Sequence, residues 1–369
     1  MCVHVGMKNQ RVIKGLTMNQ YRKHGSTRNI IPVTLLGALL AVGFASELVS
    51  ASNDSATAVL WRDPTDIATR NLLEGPGGKD HEPHPPFTFD KEDMKGSNPK
   101  FDVRDSDGVK WKVKLGVEAK PETVASRLIW AVGYFANEDY FLPEFRANGM
   151  PAHLQRGNSF VEADGSIKNV RLKRESKDEK KIGTWQWRKN PFTDTRELNG
   201  LRVMMAVINN WDLKDDNNAI YREKGTDAQA PETVYLVSDL GSSFGTTNFI
   251  ASDKGKGNLE AYVHSKFIRK GEESTGNFVD FEDPKRPAPF IAFNAPEFLS
   301  RVNLEWIGRH LPKADAQWTG QLLAKLSHDQ IRDAFRAAQY TPEEVEAFAS
   351  ALELRIAELN QLYVGSAAK

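Results

Sequence analysis

Alternation with a period of two dominates the chain from Phe87 onward, and helical spacing dominates after about residue 290. The clearest strand is Val109 to Leu115, where Trp111, Val113 and Leu115 fall on one face and Lys110, Lys112 and Lys114 on the other. It follows a turn at Ser106-Asp107-Gly108, because Asp-Gly supplies the positive φ that a tight hairpin needs. A second turn of this kind, Asp164-Gly165, separates Ser159–Val161 from Val170–Leu172. One helix is expected from Pro121-Glu122, with Val124, Leu128, Ile129 and Val132 apolar and Gly133 as its stop. Another starts at Thr195-Arg196-Glu197, with Leu201, Met204, Met205 and Ile208 on its apolar side. Further helices are expected around Pro296 to Leu311, Gln317 to Leu326, Asp329 to Ala338 and Pro342 to Leu362. Strands first and helices later predict an α+β fold. The length of 369 residues accommodates two lobes of roughly 150 residues each. The boundaries expected are an extension over 52–86 with one short helix from Pro64 to Leu73, a β-rich N-lobe over 87–190, and a helical C-lobe over 191–369.

The start of the chain has a different character. Residues 1–29 carry six basic side chains and no acid, and an uncharged run rich in Leu, Ala and Val extends from Ile30 to Ala45. Small residues follow, at Ala45-Ser46 and again at Val49-Ser50-Ala51. This is the pattern of a secretory signal peptide over 1–51, which predicts export to a periplasmic or extracellular location. The alternative is an uncleaved membrane anchor, for which the run is slightly short of the about 20 residues a span needs. After cleavage no stable membrane span is expected. The whole chain balances 49 basic against 49 acidic residues, but without the leader it holds 43 against 48. That mildly acidic balance excludes a nucleic-acid coat, and no nucleic-acid partner is expected. The only cysteine is Cys2, so disulfides, thiol nucleophiles and Cys-ligated zinc are excluded from the remainder.

Several familiar motifs fail on inspection. Asp105 and Asp107 precede Gly108 as in a calcium loop, but the twelfth position, where a bidentate acid belongs, is Lys114. Gly75-Pro76-Gly77-Gly78 has no Lys-Ser/Thr and helix after it, and reads as a loop. His264 and His310 are isolated, and no His pair has metal spacing. Trp185 and Trp187 alternate on a strand and read as core. The run Arg171 to Lys181, of mixed charge, reads as a solvated strand end and loop.

The densest polar cluster is Asn209 to Asn218, where the second helix ends. It presents Asp212 and, five residues on, Asn217; a β-hairpin then leads to Asp239, at the end of an apolar strand and just before Leu240-Gly241. Phosphoryl transfer uses such a set. One carboxylate orients the attacking hydroxyl, an amide and a second carboxylate hold magnesium, and a strand lysine paired to a helix glutamate reaches the phosphates. Asp215, Asp216 and Asn218 read as turn or capping groups.

Asp212-Leu213-Lys214-Asp215-Asp216-Asn217 resembles the Asp-Leu-Lys-x-x-Asn catalytic loop of protein kinases, and Asp239-Leu240-Gly241 resembles their Asp-Phe-Gly metal motif. Lys114 resembles the strand lysine of Val-Ala-Ile-Lys, and Glu122 stands where the helix glutamate would. Gly96-Ser97-Asn98-Pro99-Lys100 is similar to the short phosphate loops of the atypical branch, the HipA-like and phosphoinositide kinases. The resemblance covers about residues 87 to 245. Trp211 replaces the usual Arg, Asn210 the usual His, and no three-glycine loop or Ala-Pro-Glu segment is present.

The resemblance implies a two-lobed, protein-kinase-like fold and an exported, metal-dependent phosphotransferase. Its cofactor would be ATP with Mg2+ or Mn2+, and its acceptor a hydroxyl on an unidentified protein, lipid or glycan. Asp212 would be the hydroxyl-orienting group, Asn217 and Asp239 the metal ligands, and Lys114 the phosphate contact with Glu122 behind it. Gly96, Ser97 and Lys100 would cover the phosphates. Nucleotidyl transfer is open to the same fold. Two other functions stay open: a secreted pseudokinase that binds without catalysis, and a glycan hydrolase using Asp212 and Asp239 as its acid and base. Lys114 also reads as one of three exposed strand lysines, although Gly116 and the helix after it single it out. Glu122 also reads as a helix-start acid worth about 0.3–1 kcal/mol.

Overall fold

The computed structural model describes residues 56–96, 98–223, 231–246, 255–269, 276–282 and 304–362. The leader over 1–51, Ser97, and the first part of the helix expected from Pro296 to Leu311 lie outside them; the described part of that segment is not an α-helix but a 3-10 turn, Glu305–Gly308, followed by a two-residue strand, Leu311–Pro312, paired with Phe278–Val279.

The architecture is α+β, with its larger sheet built from the first half of the chain. The strands are β1 (Thr57–Val59), β2 (Phe87–Asp93), β3 (Lys100–Arg104), β4 (Lys110–Leu115), β5 (Asp139–Phe145), β6 (Ala147–Asn148) and β7 (Ile167–Glu175), then β8 (Glu179–Gly183), β9 (Asn218–Glu223) and β10 (Glu232–Val237). A six-stranded sheet has the order β5-β7-β4-β3-β2-β6, and a four-stranded sheet the order β1-β10-β9-β8. The two sheets therefore part between β7 and β8, at residues 176–178. β1 also pairs in parallel with β10, so part of the 52–86 extension belongs to the second sheet. The short helix expected from Pro64 to Leu73 reduces to one 3-10 turn, Ile67–Thr69.

β4 shows how the sheet is built. Trp111, Val113 and Leu115 are buried with Phe101, Val103, Val170 and Leu172 in one apolar cluster. The opposite face carries its lysines against charged partners: Lys110 on Asp102 (3.1 Å) and Glu175 (3.2 Å), Lys112 on Asp102 (2.6 Å) and Asp93 (2.8 Å). Its hairpin turn is closed by Asp105, whose carboxylate accepts from the backbone N–H groups of Asp107 (3.0 Å) and Val109 (2.9 Å) and from the Trp111 indole (2.8 Å). That carboxylate has structural work, in keeping with the rejected calcium loop.

Gly116, at φ 86°, turns β4 directly into helix α1 (Ala119–Ala131). α1 begins two residues before the expected Pro121, since proline is tolerated anywhere in a first turn, where N–H groups have no intrahelical partner. Glu118 thereby becomes its N-cap residue. Helix α2 (Arg196–Val207) starts at Thr195, whose hydroxyl accepts from the Leu198 N–H at 3.2 Å. After the short helix α3 (Leu259–Val263) come α4 (Lys313–Leu323), α5 (His328–Arg336) and α6 (Pro342–Asn360), the last two opened by capping boxes at Ser327 and Thr341. The apolar sides of α1, α2 and α4–α6 share one large core. Trp185 and Trp187 are buried in it, 4.8 Å apart and edge to face.

Candidate functional site

Lys114 ends β4 on the charged face and is 4% exposed. Its ammonium meets three carboxylates: Glu118 at 2.9 Å, Glu122 at 2.9 Å and Asp239 at 3.0 Å. It is therefore not an exposed strand lysine. Glu122, fully buried one turn into α1, has its other oxygen held by Arg171 of β7 at 2.6 Å. Arg171 reaches on to Asp139 of β5 at 3.4 Å. Glu118 receives Lys256 at 2.5 Å and the Asn98 amide at 2.5 Å. The connected network holds three cations, Lys114, Arg171 and Lys256, against four carboxylates, Glu118, Glu122, Asp139 and Asp239.

Electrostatics follow from that inventory. Burial disfavours the charge on Lys114, but Asp239, Glu122 and Glu118 outweigh it and raise its pKa well above the ordinary lysine value. Burial would also raise Asp239, yet the Lys114 charge and hydrogen bond bring its pKa down to about 2. Glu118 moves down as well, since Lys114 and Lys256 outweigh its burial. Glu122 moves up, because burial prevails over Arg171 and Lys114.

The hairpin of β9 and β10 pairs Asn218 with Val237 and so brings the two ends of its strands together. The Asn217 carbonyl accepts from the N–H groups of Ser238 (2.7 Å) and Asp239 (3.2 Å), and its side-chain amide donates to the Asp212 carbonyl at 2.6 Å. The Trp211 N–H donates to the Ser242 carbonyl at 3.2 Å. Two segments that are 27 residues apart are thus stitched into one surface. Downstream, Phe244 is fully buried among Phe335, Phe348 and Tyr262. Asp239 is therefore anchored on both sides, by β10 and by the helical core. Gly241 is required between them: a Cβ there would lie 2.6 Å from a Glu118 carboxylate oxygen. The neighbours of Asn217 tie this segment to the one before α2 instead of serving as local turn or capping groups, Asp215 accepting from the Trp187 N–H (3.1 Å) and Asn218 donating to the Trp185 carbonyl (2.9 Å).

A cleft of about 1010 Å³ opens over this network, lined among others by Gly96, Lys100, Lys114, Glu122, Asn217 and Asp239. The Asp239 side chain is 40% exposed into it. Lys100 stands opposite Lys114 in the β3–β4 register, and burial together with the charges of Lys114 and Lys112 lowers its pKa. Lys214 lies 3.5 Å from the Asp212 carboxylate. Asp212 is not among the described lining residues and joins the cleft through Asn217.

The donor set suits a divalent cation. Asn217 donates through its amide nitrogen to the Asp212 carbonyl, so its side-chain oxygen is the atom that could serve as a ligand, and both Asn217 and Asp239 line the cleft. Glu118, Glu122 and Asp239 also offer carboxylate oxygens within 4.8 Å of one another, the one group of this kind among the described residues. Hard oxygen donors and one carboxylate in excess match Mg2+ or Mn2+.

Of the residues expected from the sequence, the structure brings Lys114, Glu122, Asn217 and Asp239 to one cleft; Glu118, Asn98, Lys256 and Arg171, which also join the network, were not among them. Glu118 had a signal, four residues after Lys114. Arg171 was read as part of a solvated strand end; it is 4% exposed, because β7 pairs with β4 and sets Arg171 opposite Lys114.

No family model and no curated protein matches this chain. Among solved structures, the Helicobacter pylori proinflammatory kinase CtkA aligns over 74% of this chain and 95% of its own, at 10% identity and a TM-score of 0.38. The Golgi casein kinase, solved with Mn/ADP bound, aligns over 75% and 74% at 12% identity and a TM-score of 0.28.

Proposed function

We propose that the cleft is the site of a kinase-like phosphotransferase that uses a nucleotide and Mg2+ or Mn2+. The observation that carries this reading is the single buried ammonium of Lys114, shared between Glu122 of the following helix and Asp239 beyond the second hairpin. Kinases require this lysine–glutamate pair, next to a metal-holding aspartate and asparagine. The order of parts also agrees, with the lysine on the third strand of the two-hairpin run and the glutamate on the helix that follows it. Asp239 and Asn217 would hold the cation, which supplies charge neutralisation for the phosphate oxygens. Lys114 would bind donor phosphate, with Lys100 and the Gly96-Ser97 loop over it. Glu122, clamped by Arg171, fixes the position of Lys114. Asp212 would orient the acceptor hydroxyl and take its proton, with Lys214 at its side.

A glycan hydrolase needs an acid that stays protonated near neutral pH. Asp239, with a pKa of about 2 and an ammonium at 3.0 Å, is unsuited to that role. The basic, apolar leader supports export, and the reaction would then take place outside the cytoplasm.

Thermal shift with ATP and Mn2+ or Mg2+ tests the reading. Ligand at 100 times its dissociation constant should add about 2.7 kcal/mol to wild type, and Asp239→Ala should abolish the metal-dependent part. Turnover should fall roughly 10²–10⁴-fold in Asp212→Ala with binding kept. Nucleotide binding without metal and without turnover would identify a pseudokinase, and no shift under any condition would refute the kinase reading.

A further inference from the structure

Three cleft lysines lie beside the Lys114 network, two of them near the crossover from β7 to β8 and one after β2. Lys173 of β7 places its ammonium 3.4 Å from the Tyr221 hydroxyl of β9 and 6.0 Å from the centre of its ring. Lys181 of β8 stands opposite Tyr221 in the β8–β9 register. Lys95 enters from the loop after β2, on the same cleft wall as Gly96.

These lysines differ from the others in the cleft. Lys112 and Lys114 each hold carboxylates at 3.0 Å or less. Among the described residues no carboxylate forms an ion pair with Lys95, Lys173 or Lys181. Nearby acids are engaged elsewhere: Asp139, opposite Lys173 in the β5–β7 register, with Arg171 (3.4 Å), Glu138 with His81 (2.9 Å), Glu175 with Lys110 (3.2 Å), Asp93 with Lys112 (2.8 Å) and Glu223 with Arg62 (3.9 Å). Asp216 and Glu179 act only at longer range. Burial and the charges of Lys173 and Lys95 lower the pKa of Lys181, so the group repels itself when nothing lies between its members.

The part of the sheet above this end of the cleft is also charged. Two residues before Lys114 on the same face is Lys112, flanked in register by Asp102 and Lys173.

We propose that Lys95, Lys173, Lys181 and the Tyr221 hydroxyl form a second phosphate subsite, which takes a phosphate carried by the ligand in addition to the one at Lys114. The proposal rests on the phosphotransferase reading for the role of the ligand as donor, but not for the binding of the anion. Two sources share this chemistry, an inorganic polyphosphate chain and a nucleotide with an extra phosphate on its sugar.

Calorimetric titration without metal, at matched ionic strength, tests it with AMP, adenosine 3′,5′-bisphosphate and inorganic tripolyphosphate. Wild type should bind one of the two multiply phosphorylated probes at least tenfold more tightly than AMP, and the tighter probe identifies the source. Lys173→Gln/Lys181→Gln should lose that preference, Asp239→Ala should keep it, and Lys177→Gln, an exposed residue of the crossover, should match wild type. Equal affinity for all three probes, or the same loss in Lys177→Gln, would overturn the subsite. A metal-dependent ATP shift alongside that result would leave the phosphotransferase reading standing, and the reverse pattern would remove that reading alone.

Discussion

At the scale of the residue, Asp239 has a measurable signature. Folding lowers its pKa from 3.8 to about 2, so its contribution to stability is complete above its unfolded value and is lost as pH falls toward 2. Its partial exposure reduces that contribution to on the order of 1 kcal/mol. Urea midpoints of wild type and Asp239→Asn should therefore differ most near neutral pH and converge between pH 4 and 2; parallel curves would remove the ion pair from the account. Asn217 and Asp239 were the legible part of the cleft, because they lie in short motifs whose spacing is set by local backbone. Arg171 and Lys256 were not legible, because they join the network by strand pairing and tertiary approach over 49 and 138 residues respectively from Glu122 and Glu118.

At the scale of the element, the hairpin turns, α2 with its Thr195 cap, and helices α4 to α6 could be read from local signals, because turns and caps are encoded within four or five residues. The start of α1 could not, since Pro121 marks a permitted first-turn position and not a unique one. β8 reads as a charged loop in sequence and becomes a strand only because β9 lies beside it. Cap chemistry gives a prediction confined to this level. Thr341→Ala removes one half of the α6 capping box and should cost about 1 kcal/mol in chemical denaturation, with nucleotide affinity unchanged. A change in affinity would mean that α6 reaches further than its packing indicates.

At the scale of the whole molecule, the α+β order was visible because periodicities two and 3.6 leave different traces, whereas the division at residues 176–178 depends on which sheet each strand joins. α1 packs its apolar side into the helical core while its two glutamates grip the sheet, so it couples the two halves. The cleft lies where their charged surfaces meet. Lys114 occupies that junction with Glu118, Glu122 and Asp239 all claiming it. A cation that captures Asp239 frees part of this ammonium, and an anion that captures the ammonium frees Asp239. Two such ligands would therefore be bound by reciprocal linkage, each lowering the cost of admitting the other. Titration of inorganic pyrophosphate with and without Mn2+ should show a tighter dissociation constant when the metal is present, by roughly 5–150-fold, and Asp239→Asn should erase the difference. One shared proton-bearing nitrogen would thus make the site respond to a pair of opposite charges and resist either one arriving alone.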